Sequence, residues 1–181
     1  MQMNPNKRTK GFTLIELIIV IVILGLLAVA AAPRFIDISN DANIAKLKTL
    51  EGAVKSGANL VLTKAIIQGK YPSDGFLWLD LDGVGSIQDV RVYKGYPIVG
   101  GDCDNFMASL PNWIDINLPT SCTGTTVSSN DWYGTVSTTT FDFMPEGFTS
   151  ITQNCYMRYY EQIAPYDVPQ TNLTTLATSG C

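Results

Sequence analysis

Residues 11–33 read GFTLIELIIVIVILGLLAVAAAP, a run whose apolar stretch is broken by one charge. Glu16 is its sole ionisable side chain, about one helical turn beyond Phe12. A basic leader, Lys7, Arg8 and Lys10, precedes it. From Phe12 to Ala32 the run matches the ~20 residues that cross a hydrocarbon core. A carboxylate inside such a segment costs roughly 2.5–3.5 kcal/mol on insertion scales, so it marks function and calls for a partner. No cation lies within the run. The partner has to come from elsewhere.

A cut after Gly11 would supply one. The new α-amino group of Phe12 would be a cation at the tip of the apolar helix. A neighbouring copy sliding alongside would bring its own Glu16 to that amine. Gly11 followed by Phe12-Thr13-Leu14-Ile15-Glu16 resembles the type III signal sequence of type IV pilins, and the likeness continues from Leu17 to Phe35. The resemblance implies cleavage between Gly11 and Phe12 by a prepilin peptidase, N-methylation of Phe12, and pairing of Glu16 with an adjacent subunit's amine. Two other readings compete. One is a conventional secretory signal with Leu14–Leu27 as its apolar region and a cut near Ala28-Val29-Ala30. The other is a plain single-span anchor with the leader charges on the cytoplasmic side. Neither accounts for Glu16.

Beyond Pro33 the pattern becomes one-sided. Ile44, Leu47, Leu50, Val54, Ala58, Val61, Leu62, Ala65 and Ile66 recur in steps of three and four, the stripe of an amphipathic helix. Gly69 and Pro72 give its stop signal. Read from Phe12 to Gln68, the helix would be ~85 Å long. Its first half is apolar all round and must be covered by lipid or by other copies. Its second half packs on a head. Pro33 removes a backbone hydrogen bond and predicts a kink. Gly25 weakens the helix by ~1 kcal/mol relative to Ala. In type IVa pilins a segment bounded by Gly and Pro at matching positions can lose helicity in the filament, and the resemblance implies the same for Gly25 to Pro33.

After residue 70, short apolar runs alternate with Gly, Pro, Asn, Asp, Ser and Thr clusters. Phe76–Leu81, Val90–Tyr93, Trp132–Val136, Phe141–Phe143 and Cys155–Tyr160 read as strands. An antiparallel sheet on the amphipathic half-helix is the simplest two-layer solution. The expected class is α+β, divided as a cleaved leader 1–11, a membrane or filament-core helix 12–35, an amphipathic half 36–69 and a β head 70–181.

All four cysteines, Cys103, Cys122, Cys155 and Cys181, lie in the part expected outside the cytoplasm. They read as two disulfides with three connectivities. The pairs Cys103–Cys122 and Cys155–Cys181 close modest loops, worth ~3 kcal/mol each on chain entropy. The second resembles the loop that closes the C-terminal region of many pilins. A zinc site is disfavoured by the absence of His and of Cys-x-x-Cys.

Composition narrows function further. The net charge is −4, and three of the 12 basic residues belong to the leader. After Lys94 the lone base is Arg158, while acids run from Asp102 to Asp167. That surface repels phosphate backbones, which argues against nucleic-acid binding by the head. With no histidine, the commonest general base and the Ser-His and Cys-His pairs are missing. No P-loop is present and no cofactor is called for. Asp80-Leu81-Asp82-Gly83-Val84-Gly85-Ser86, with Asp89, resembles a calcium loop but lacks the third oxygen ligand and the terminal Glu. A turn between strands is the better reading, and calcium there stays open.

Short runs at Ala31–Phe35, Tyr93–Pro97 and Cys155-Tyr156 are most similar to the mannose-sensitive haemagglutinin pilins. That likeness implies a fibre for surface attachment, with carbohydrate or another surface ligand as target. The expected function is therefore a non-enzymatic type IV pilus subunit, single-pass in the inner membrane before assembly and extracellular afterwards. Its implied partners are other copies in a helical filament, the prepilin peptidase and the inner-membrane assembly machinery. A type II secretion pseudopilin and a binding domain that never polymerises are the alternatives.

Overall fold

The computed structural model describes residues 11–71, 75–84, 89–98, 103–117, 122–129, 131–161 and 173–181, with backbone alone at 30 and 32–37. The chain divides into two units, Met1–Asn40 and Asp41–Cys181. The amphipathic part of the helix contributes Leu47, Leu50, Val54, Ala58, Val61 and Ala65 to the core of the second unit.

Helix α1 runs over Leu14–Ile67. It is helical at Gly25 and at Pro33 in the single chain. Its C-terminus shows why it stops. Gly69 takes φ +66°, the Gly69 N–H donates to the Ile66 carbonyl at 3.0 Å, and the Lys70 N–H to the Ala65 carbonyl at 2.8 Å. That left-handed cap satisfies carbonyls the helix leaves over.

Within the second unit, the stripe from Leu47 to Ala65 forms one wall of the core: Leu47, Val54, Ala58, Val61 and Ala65 are fully buried. Ile66, expected in the stripe, is instead exposed, because it lies about 100° around the helix from the buried Ala65 and off the line of Val54, Ala58 and Val61. Gly57 permits a close approach that the sequence did not flag. A Cβ there would lie 2.2 Å from the Trp113 carbonyl oxygen.

The head holds two antiparallel sheets where the sequence suggested one. The first is β1 (Leu77–Leu79), β2 (Val90–Tyr93) and β3 (Tyr96–Pro97), in that order. The second runs β4 (Thr126–Ser128), β5 (Trp132–Val136), β6 (Thr140–Pro145), β7 (Tyr156–Tyr160) and β8 (Thr174–Ala177), each beside the next. A short helix α2 (Cys103–Ser109) lies between them in sequence. The β2–β3 hairpin turns at Lys94 and Gly95, both at positive φ (47° and 80°), with Tyr93 opposite Tyr96. Two left-handed residues match the twist of the flanking strands.

The core joins both sheets to the helix. Phe106 stacks near Phe141 and Tyr159, and Trp113 lies 6.0 Å from the Tyr159 ring. The Tyr159 hydroxyl donates to the Pro97 carbonyl at 2.6 Å, linking the second sheet to the first. Burial pushes this phenol's pKa up. Across β6 and β7, Arg158 donates twice to Asp142, at 2.6 and 2.9 Å. These hydrogen bonds hold the guanidinium charged against the opposing effect of burial. Thr174 on β8 donates to Glu51 of α1 at 2.8 Å, and Lys55 donates to the same oxygen at 2.8 Å. Burial alone would raise the Glu51 pKa, but these bonds and the Lys55 charge outweigh it and hold it below the ordinary value.

Candidate functional site: the start of the first helix

Gly11, Phe12 and Thr13 precede α1 and are exposed, Phe12 at 88%. The peptide bond between Gly11 and Phe12 lies in non-helical chain. Thr13 and Glu16 then close the helix end on each other. The Thr13 N–H donates to Glu16 Oε2 at 2.8 Å and the Thr13 hydroxyl to the same oxygen at 2.9 Å. The Glu16 N–H donates back to Thr13 Oγ1 at 3.4 Å. This reciprocal pair is a capping box, which satisfies two of the orphan donors at a helix start. The negative side chain also suits the positive end of the helix dipole.

The capping box was missed in the sequence, although its signal was there. Thr13-Leu14-Ile15-Glu16 is the Thr-x-x-Glu spacing ahead of an apolar run.

Around Glu16 the helix presents apolar side chains on every face. Leu14, Ile15, Leu17, Ile18, Ile19, Val20, Ile21 and Val22 are all exposed. Among the described residues no helix is long and apolar enough to cross a membrane. The apolar run with described side chains covers Leu14–Val29, and the sequence carries it on through Ala32.

Elsewhere the candidate residues play structural parts. Cys103 is joined to Cys122 and Cys155 to Cys181, with Cα separations of 5.9 and 4.7 Å. The second bridge lies beside a short helical turn, Ile151–Gln153, itself capped by Ser150 and Gln153. Asp80, Asp82 and Asp89 bring carboxylate oxygens within 4.8 Å of one another. Their oxygens accept backbone N–H groups: Asp89 from Leu81 and Asp82, Asp80 from Gly83, Asp82 from Val84. The donors that stabilise this cluster belong to the turn itself, and residues 85–88 lie outside the described residues.

The sequence around this helix start matches one known signature. Residues 6–32 carry the prokaryotic N-terminal methylation motif. A third of the chain is also similar to type IV pilus and fimbrial proteins. It is 48% identical over 58 residues to the type IV narrow pilus major component PilA5 of Thermus thermophilus, covering 32% of this chain and 50% of that protein. It is 39% identical over 64 residues to two fimbrial proteins of Pseudomonas aeruginosa, covering 35% of this chain and 39% of each of those. The chain thus spans about half or less of the curated relatives it matches. No solved structure matches it.

Proposed function

We propose that this chain is a structural, non-enzymatic subunit of a type IV pilus that polymerises through its N-terminal helix. The observation that carries the reading is the methylation motif on a helix whose apolar surface is exposed in the single chain. Names of pilus and fimbrial components among its relatives support it. On this reading residues 1–11 are a leader removed by a prepilin peptidase between Gly11 and Phe12, and Phe12 is then methylated. Residues 12–35 anchor the subunit in the inner membrane and later fill the filament core, and residues 36–69 and 70–181 form the outward head. Glu16 pairs with the amine of an adjacent copy, and Gly25–Pro33 unwinds on assembly. The fibre serves surface attachment; the finer likeness to mannose-sensitive haemagglutinin pilins and a carbohydrate target rest on three short runs.

Mass spectrometry of the intact subunit from sheared surface material tests the reading. A mass starting at methylated Phe12 with both disulfides closed is expected, from material that electron microscopy shows as fibres. A subunit starting near Ala31 or Pro33 would instead support the secretory alternative. Methylated subunits confined to the cell envelope, with no surface fibre, would favour the pseudopilin.

A further inference from the structure

One cavity in the second unit belongs to none of the parts described so far. It is a groove of about 560 Å³, lined by α1 over residues 42–53, by residues 115–117 and by Trp132. Small-molecule sites take ~300–1,000 Å³ and are apolar with a few placed polar groups. Here Leu50 and Ile116 supply apolar lining, and Lys46, Asp115 and Asn117 supply the polar groups. Trp132 differs from the core tryptophan. Trp113 is buried and meets Phe106 and Tyr159. Trp132 is half-buried and, among the described residues, meets no other ring. Its backbone is already held, the N–H donating to Ser129 Oγ at 3.1 Å and the carbonyl accepting from the Ser129 N–H at 2.8 Å. A platform fixed in advance loses less freedom when something docks on it. Lys46, Asp115 and Asn117 are exposed, and among the described residues their side chains form no hydrogen bond or ion pair.

We propose that this groove binds a neutral saccharide, with one sugar ring lying on Trp132 and its hydroxyls meeting Asp115, Asn117 and Lys46. A pyranose has a C–H face and a rim of hydroxyls that each donate and accept. The C–H face suits the flat apolar body of an indole. The rim suits a carboxylate that only accepts, an ammonium that only donates and an amide that does both. A wholly aliphatic occupant would take water from these polar groups and return no bond. Lys46 and Asp115 carry opposite charges on one groove, which favours a neutral molecule over an anion or a cation. The proposal deepens the attachment reading given above by assigning its carbohydrate to named residues.

The detergent-solubilised full chain and sheared fibres are each tested on immobilised neutral oligosaccharides ending in mannose, galactose or N-acetylglucosamine, with a sialylated one beside them. Both should retain at least one neutral sugar in preference to the sialylated one. D115A should weaken that binding about tenfold, the effect of losing one hydrogen bond to a charge. W132A should weaken it at least as much, while W132F should stay within about threefold because a ring remains. Thermal melts check the fold of each variant, and the exposed Asp115 keeps one variant clear of the core. Retention of no neutral sugar would overturn the proposal, as would a folded D115A that binds like the unmodified chain. Sugar held by the subunit but not by fibres would overturn it too, because neighbouring copies would then cover the groove. If the chain forms no fibre, the pilus reading fails by itself. Sugar bound by the subunit and lost in D115A would then still support the site.

Discussion

Two stretches of helix α1 hold much the same aliphatic side chains and meet opposite surroundings. Leu47, Val54 and Val61 are fully buried, while Ile21 and Val22 stay 57% and 54% exposed. Hydrophobicity does not separate them; the number of apolar faces does. Where Lys46, Lys48, Glu51 and Lys55 interrupt the pattern, one stripe remains and its own chain covers it. Where only Glu16 interrupts it, no single chain can cover every face. An apolar surface of that size on a monomer marks an interaction site. One half of the helix is covered by its own chain, and the other, on the proposed function, is covered by further copies.

Large-to-small substitution should break this pairing of regions most sharply. Leu47→Ala should lower the stability of the detergent-solubilised subunit by ~2–5 kcal/mol, as removal from a filled core does. Ile21→Ala should leave that melt within ~0.5 kcal/mol and reduce filament yield instead. Equal effects on the melt would mean the two stretches are not different in kind. Opening Cys155–Cys181 with Cys181→Ser should come next, at ~3 kcal/mol by thermal melting. It frees the strand whose Thr174 reaches Glu51.

Glycine substitutions sharpen the contrast at smaller scale. Gly57→Ala places a methyl group against the Trp113 backbone and should cost ~1–3 kcal/mol in the same melt. Gly25→Ala meets nothing within 4 Å and should stabilise the lone helix by ~1 kcal/mol. If Gly25–Pro33 unwinds during assembly, that same change slows filament formation, whereas unaltered growth would remove the unwinding step. The mildest effect concerns Tyr159. Its raised pKa means the folded state keeps a proton that the unfolded chain gives up near pH ~10. Stability is then present below pH ~10 and lost as pH rises beyond it. Tyr159→Phe should cost ~1 kcal/mol at neutral pH and flatten that alkaline loss, read from melts across pH.

How much of this was visible in the residues varies with the reach of the contacts. The long helix, its stop at Gly69, and strands β2, β5 and β7 follow from spacing and punctuation, which are local. The division of the head into two sheets is not local. The contacts that hold the two sheets in one core are long-range, such as Tyr159 reaching Pro97 across 62 positions, and no window of sequence contains both. Strand β4 has a weak pattern because Thr126-Val127-Ser128 has one inward residue, and α2 reads as loop because it is a single short segment between turns. At the helix start the Thr13–Glu16 bonds are legible as a Thr-x-x-Glu spacing ahead of an apolar run.

A filament map at side-chain resolution tests the central claim most directly, through one distance. The expected result is a Glu16 carboxylate within the ~4 Å of an ion pair from the Phe12 nitrogen of a neighbouring copy. A Glu16 bonded only within its own chain, with every neighbour's amine beyond the ~6 Å at which an opposite charge still acts strongly, would contradict it.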